Sequence, residues 1–234
     1  MNIKAFVTTA PRRTNYLPTC LESMRLAGWA DPLVLAEPGA EVPGFCNVRI
    51  NKKSIGPWPN ALQGFRMLSS SSTYQRPDAI MLVQDDVVLA KGLRPWLEQQ
   101  LEWGGAEIAE NAGVVSVYCP TIHAQRNQKR WWPLPLVDVP RRCYGACAVV
   151  LPIKSVFMLL ANPQGEGCRT KADIWLGRHC AANSLDWWYH TPSLAQHIGA
   201  VSTLSDNLSE EREAIYRRAE EFVDDVQFLK DSNE

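Results

Sequence analysis

No run of apolar residues in this chain reaches the roughly 18 that a membrane-spanning helix needs. The longest candidate, Ala146–Ala161, is interrupted by Pro152 and Lys154. A Pro/Gly/Ser-rich linker is also missing, so the 234 residues read as one sizeable core. The opening Met1-Asn2-Ile3-Lys4 has none of the marks of a secretory leader and runs straight into a short strand-like segment, which predicts a cytoplasmic protein. Paired cysteines are lacking too. The seven cysteines (20, 46, 119, 143, 147, 168 and 180) are odd in number and scattered, as expected of reduced thiols. Cys143, Cys147, Cys168 and His179-Cys180 could be drawn together around zinc. However, Cys143 and Cys147 flank a Gly-Ala pair in an apolar run, where cysteine behaves as a small hydrophobe. The turn after the first apolar run, "TTAPRR", contains no glycine, which excludes a glycine-rich phosphate cradle there.

Neither charge sign dominates: the net charge is −1. The average hides a split. Residues 205–234 hold ten acids and four bases, which leaves 20 bases against 15 acids in residues 1–204. Residues 111–172 alone carry eight bases and two acids. A composition of 46% hydrophobic and 21% charged residues is that of an ordinary globular chain.

Within that chain, "PDAIMLVQDDVVLAKGL" (77–93) poses a physical problem. Two adjacent carboxylates, Asp85 and Asp86, interrupt what is otherwise one apolar strand. Buried unpaired carboxylates are costly, so these must be paired, exposed at a strand end, or bound to a cation. Strands are expected over Ile3–Thr8, Pro32–Ala36, Ala79–Val83, Gly113–Tyr118 and Gly145–Leu151. Helices are expected over Leu17–Ala27, from Pro59 or Asn60 to the serine run at Ser69–Ser72, and over Leu93–Leu101, Lys154–Leu160 and Ala172–Ala182. Residues 121–142 read as a long loop or an irregular strand pair, and Ser209–Leu229 as an amphipathic acidic helix. The alternation through residue 118 predicts a mostly parallel sheet flanked by helices, with ligands at the carboxyl ends of the strands. Polar clusters fall at three such ends: Thr8, Thr9, Arg12 and Arg13 after the first strand, Glu37 after the second, Asp85-Asp86 after the third. Three strand ends aiming polar groups into one crevice describe a nucleotide site.

Taken in order, the Thr/Arg turn, Glu37, an Asn-bearing helix (Asn60), "VQDDV", "GACAVVLP", "KADIWLG" and "PSLAQHIGAVS" resemble the GT-A glycosyltransferases. The last run is similar to Pro-Ser-Leu-x-Gln-His-x-Gly-x-x-Ser of the N-acetylglucosaminyltransferase IV group. The resemblance implies a single-domain Rossmann-like α/β fold over residues 1–204, with a nucleotide-sugar half (1–118), an acceptor half (119–204), and residues 205–234 as an acidic C-terminal helix. It implies a nucleotide-sugar donor, a UDP-sugar by preference, and a divalent cation, Mn²⁺ or Mg²⁺. Asp86 takes the place of the metal ligand, with His197 as a second ligand or a diphosphate contact. Asp85 faces the ribose or supports the metal through water. The family motif is acid-x-acid, and Gln84 stands at its first position here. Arg12, Arg13, Thr8 and Glu37 would grip the base and ribose, Thr9 and Asn60 would belong to the same donor site, and Gly145 and Ala146 would let the sugar lie against the backbone. Asp173 matches the general base of inverting members, with Asp186 next in line. Asp173 is equally readable as an ordinary acid at a helix start.

The stretch "HAQRNQKRWWPLPLVDVPRR" sets Trp131 and Trp132 among Arg126, Lys129, Arg130, Arg141 and Arg142. Indole faces beside cations suit sugars and also unstacked nucleotides. The alternative is a tryptophan pair pinning a long loop to the core, and Trp187-Trp188 near His190 extends the same aromatic group. The basic charge makes a hydroxymethylated base in DNA, an acceptor of some viral members of this class, the expected acceptor, acting in the host cytoplasm. A saccharide hydroxyl is the alternative. Nucleotidyltransferase and non-catalytic sugar-binding readings are more remote. The first lacks its glycine loop, and the second has no need of the acids and His197.

Overall fold

The computed structural model describes residues 1–44, 46–70, 76–100, 111–124, 130–135, 143–163, 165, 171–199, 219 and 221–229. Its strands are β1 (Ile3–Thr9), β2 (Leu33–Ala36), β3 (Val48–Ile50), β4 (Ala79–Gln84), β5 (Val87–Leu89), β6 (Ala112–Ser116), β7 (Trp131–Pro133), β8 (Ala148–Pro152), β9 (Asp186–His190) and β10 (Ala195–His197). Its helices are α1 (Leu17–Ala27), α2 (Pro57–Ser69), α3 (Leu93–Gln100), α4 (Thr121–Ala124), α5 (Ile153–Ala161) and α6 (Ala172–Ala182). Eight strands form one sheet in the order β3-β2-β1-β4-β8-β6-β9-β7, while β10 and β5 pair separately. The β3-β2-β1-β4 half is parallel throughout, β8 runs antiparallel to β4 and β6, and β9 is again parallel to β6.

Strands buried on both faces need apolar residues at every position, and β4 (Ala79, Ile80, Met81, Leu82, Val83) has them. Alternate side chains go to opposite faces. Ala79, Met81 and Val83 join a cluster with Leu17, Met24 and Trp96 of α1 and α3, while Ile80 and Leu82 join Trp58, Phe65, Leu159 and Leu176 of α2, α5 and α6. Helices therefore cover both faces.

The apolar run at 77–93 is not one strand. After Gln84 the chain turns through Asp85-Asp86, leaves the large sheet, and resumes as β5 against β10. The carboxylates thus sit at the carboxyl end of β4, at the point where the chain changes sheets. The chain direction of each strand then fixes what shares that end: the loop after β1, Glu37 after β2, the start of α2, the Gly145-Ala146 turn before the antiparallel β8, and the start of α6.

One sequence expectation is corrected. The helix expected to end at Leu229 is not helical in its last stretch. Residues 221–229 form a strap that bridges Phe222 to Ser193 and Asp225 to Lys91, then close in a 3-10 turn at Val226–Leu229. The rest of that expected helix, apart from Ala219, lies outside the described residues. Its apolar spacing served the strap instead: Ala219, Val226 and Leu229 are buried against the core. In addition, "WWP" and "DWWYH" pair antiparallel as β7 and β9, so the irregular segment at 121–142 contributes the sheet's edge.

Candidate functional site

Asp85 and Asp86 are 2% and 3% exposed, so their charges need partners. Those partners come from the loop after β1 and from β10. Thr9 Oγ1 donates to Asp85 Oδ2 at 2.6 Å. The Arg12 guanidinium spans both acids: Nη2 lies 2.6 Å from Asp85 Oδ1, Nε donates to Asp85 Oδ2 at 3.1 Å, and Nη1 donates to Asp86 Oδ2. His197 Nε2 approaches the same Asp86 Oδ2 at 3.2 Å.

The β5–β10 register makes this last contact. His197 lies opposite Val87, and Ile198 N–H donates to the Asp86 carbonyl at 2.8 Å. A Cβ on Gly199 would stand 2.6 Å from Asp86 Oδ2, so the backbone there lies flat against the carboxylate. Other residues of "PSLAQHIG" have physical roles as well. Ser193 Oγ accepts from Cys119 N–H and donates to the Ala195 carbonyl, while Leu194 and Ala195 are buried. Gln196 clamps Ala219, its Oε1 accepting from the Ala219 N–H at 2.8 Å.

The two acids are in different electrostatic states. Burial holds Asp85 above the usual carboxylate range; Arg12 pulls it down and Asp86 pushes it up. Burial also works to raise Asp86, but His197 and Arg12 outweigh it and leave Asp86 below the usual range. Asp86 Oδ1 and His197 Nδ1 are buried with no hydrogen-bond partner among the described residues. No group of three His, Cys, Asp or Glu side chains among the described residues forms a ready-made metal cage. Asp86 with His197 still fits a hard divalent cation of the kind that takes one or two protein ligands and completes its shell with phosphate and water. The orphaned Oδ1 is a free lone-pair donor at that place.

Glu37 and Asn60 are committed elsewhere. The Glu37 carboxylate accepts from the N–H groups of Ile55 and Gly56 at 3.0–3.2 Å, just before α2, where prolines supply no donors of their own. Asn60 Nδ2 donates to the Leu35 carbonyl and its Oδ1 accepts from Asn51, which ties α2 to β2. Thr8 lies within β1 opposite Gln84, its carbonyl accepting from Asp85 N–H, and Arg13 is exposed on the loop.

Gly145 has φ +84°, and a Cβ there would meet the Tyr118 ring at 2.5 Å. Its glycine is therefore required by the fold itself. Ala146 is buried next to Cys147, whose carbonyl accepts from Gln84 N–H at 2.8 Å, so the turn flanks the carboxylates. Asp173 stands in the first turn of α6, Oδ1 accepting from Ile174 N–H, and burial raises its pKa. The Cys147 thiol, pushed up by burial, is pushed further by both Asp86 and Asp173, so both acids act on that one group from the same end of the sheet. Asp186 begins β9, at the opposite end, since β9 runs parallel to β6 and antiparallel to β8. It is not a neighbour of the carboxylate turn.

Trp131 and Trp132 are core residues. Trp131 stacks on Trp96 and meets His190 edge-on, while Trp132 stacks on Tyr189 and donates its indole N–H to Thr191 at 2.9 Å. At 5% and 3% exposure neither indole offers a face to an acceptor, and the pair pins its segment as the alternative reading held. Trp187 and Trp188 are buried beside them. Arg130 Nη2 donates to the Leu229 carbonyl at 2.7 Å. Arg126, Lys129, Arg141 and Arg142 lie outside the described residues. Six of the cysteines are free, and Cys168 is not described. The contact that residue reasoning missed is the pairing of Arg12 with both acids; the loop composition was visible, but not its direction.

No protein-family model matches the chain, and no curated protein matches it. Solved structures do. A nucleotidyl transferase from Methanothermobacter aligns at TM-score 0.51 and 14% identity, over 82% of this chain and 88% of its own. A Drosophila β1,4-galactosyltransferase 7 mutant, in complex with manganese, UDP-Gal and xylobiose, aligns at TM-score 0.50 and 10% identity, over 94% of this chain and 82% of its own. At such identities the likeness is one of fold: a mixed α/β, Rossmann-like sheet flanked by helices, of the GT-A type.

Proposed function

We propose that the protein is a divalent-cation-dependent glycosyltransferase that moves a sugar from a nucleotide-sugar donor, a UDP-sugar by preference, to an acceptor hydroxyl. One observation carries this reading: Asp86 and His197 meet at the carboxyl end of β4, and Asp86 Oδ1 is buried there without a hydrogen-bond partner among the described residues. Asp86 and His197 would hold the cation, which supplies Lewis-acid neutralisation of the charge that grows on a departing diphosphate. Thr9 fixes the rotamer of Asp85, and Asp85 in turn orients Arg12. Asp173, its proton affinity raised by burial, would take the proton of the acceptor hydroxyl as that oxygen attacks the anomeric carbon.

For the acceptor, the basic balance of residues 111–172 supports a polyanion such as hydroxymethylated DNA. Burial of both indoles removes stacking from that case, so charge alone supports it over a saccharide. A nucleotidyl transfer reading has a neighbour of equal similarity in its favour. Against it, the loop after β1 carries Pro11 and Arg12 where a phosphate cradle needs glycine.

The test is a panel of nucleotide sugars and nucleoside triphosphates with Mn²⁺, Mg²⁺ or chelator, offered with oligosaccharides and with hydroxymethylated DNA. The expected result is sugar transfer or donor hydrolysis that chelator abolishes and Mn²⁺ restores, lost in Asp86→Asn at unchanged Tm. Full activity in excess chelator, or turnover of triphosphates alone, overturns the reading.

A further inference from the structure

Arg12 is placed where a bound cation would compete with it. Two adjacent carboxylates buried in one turn cannot both stay ionised without a positive partner. In this structure that partner is the Arg12 guanidinium, 13% exposed, in contact with three of the four carboxylate oxygens. Asp86 Oδ2 is held from two sides, by Arg12 and by His197, the same two groups that a cation bound at Asp86 would meet first. Arg12 reaches this place from an irregular loop, between Thr9 and the start of α1 at Leu17, rather than from a helix or strand. Its side chain is therefore anchored at its tip more than at its base. A single positive charge against two carboxylates leaves one negative charge uncompensated, whereas a divalent cation in its place matches both.

We propose that Arg12 is an exchangeable counter-cation. In the free protein it neutralises Asp85 and Asp86 at the cation's place, and on loading it yields Asp86 and becomes available to an anionic diphosphate. The inference rests on the cation-dependent reading above. Its consequence is coupling: cation alone must displace Arg12 without compensation, whereas cation with a diphosphate gives Arg12 a new partner. Each then tightens the binding of the other by the same factor. Arg12 would thus keep the protein from filling with metal in the absence of donor.

The experiment measures Mn²⁺ binding by electron paramagnetic resonance and calorimetry, for Mn²⁺ alone, Mn²⁺ with UDP, and Mn²⁺ with inorganic pyrophosphate. The wild type is expected to bind Mn²⁺ alone weakly and to tighten roughly tenfold or more with either diphosphate. Arg12→Ala should bind Mn²⁺ alone roughly tenfold more tightly than the wild type and lose most of the tightening. Because that variant leaves two buried acids unpaired, Arg12→Lys is measured beside it. Lysine keeps the charge but cannot bridge both carboxylates, so it should also bind Mn²⁺ alone more tightly than the wild type. Equal or weaker Mn²⁺ binding in the folded variants overturns the exchange, while the cation reading survives if Asp86→Asn abolishes binding. If the wild type binds no Mn²⁺ with or without a diphosphate, both fall.

Discussion

Asp173 and Gly145 show how differently two residues at one end of a sheet are constrained. Asp173 accepts a hydrogen bond from the Ile174 N–H of its own helix and feels the charge of Lys171, both local contacts, so its removal should cost little stability. Asp173→Asn is expected to leave the donor dissociation constant unchanged and to lower turnover by about 10²–10⁴, the usual contribution of a positioned base. Turnover within a few-fold of wild type would reduce Asp173 to a helix-start acid. Gly145 is the reverse case. Its φ of +84° and the Tyr118 ring at 2.5 Å from a prospective Cβ make Gly145→Ala a fold defect. A loss of about 1–3 kcal/mol in denaturant unfolding is expected. An unchanged midpoint would show that the turn relaxes freely.

At the scale of elements, β10 carries His197 and pairs with β5, and the strap at 221–229 braces the segments that flank that pair. Its backbone bonds run from Glu221 and Val223 to Ser193, and from Asp224 and Val226 to Lys91, with Arg130 closing on Leu229. Truncation after residue 218 should expose the core surface that Ala219, Val226 and Leu229 cover, cost on the order of 3 kcal/mol or more, lower solubility, and weaken Mn²⁺ binding through loss of the Gln196–Ala219 clamp. A truncated chain with the full Tm and full cation affinity would make the strap an appendage. The same element shows the limit of periodicity. Apolar residues at 219, 222, 226 and 229 fit a helical face, and they fit equally a strap whose inward positions are set by what it crosses. By contrast, the helix expected at Leu17–Ala27 matches the structure to the residue: Leu17, Leu21 and Met24 are buried on one face and Gly28 at φ +112° ends it, although Leu26 is exposed.

At the scale of the whole molecule, two core imidazoles set the acid limit. Burial pulls His179 down to about 4. Its ring sits between Ser155 on α5 and Asn183 just after α6. Burial pulls His190 down to about 3; its bond to the Pro192 carbonyl opposes the shift and Arg130 adds to it. An unfolded chain protonates such groups near 6.5, so below that pH the unfolded state binds more protons than the folded one. Stability from these two groups is therefore fully present above about pH 6.5 and is lost as pH falls from there toward 4 and 3. The loss is on the order of several kcal/mol in total. Tm measured from pH 8 to pH 4.5 should fall steadily below pH 6.5, and His179→Gln should flatten part of the slope. A level profile would mean that these rings are hydrated in the folded state.

The sequence by itself determined the layered α/β core, the parallel first half, and the concentration of acids and arginines at strand ends. Those follow from local period, from the apolar content of strands buried on both faces, and from the turn residues between them. It also singled out Asp85, Asp86 and His197, because a broken apolar run and an ordered set of motifs are visible without coordinates. Only the tertiary structure decided which polar residues face the crevice and which are used up in holding it. Glu37 accepts from the N–H groups of Ile55 and Gly56 ahead of α2, Asn60 ties α2 to β2, Trp131 and Trp132 lie in the core, and Asp186 starts its strand at the opposite end of the sheet. Each of those outcomes depends on the register and direction of strands far apart in the chain. One residue's slip in β10 would turn His197 away from Asp86, and nothing in the local sequence records that pairing.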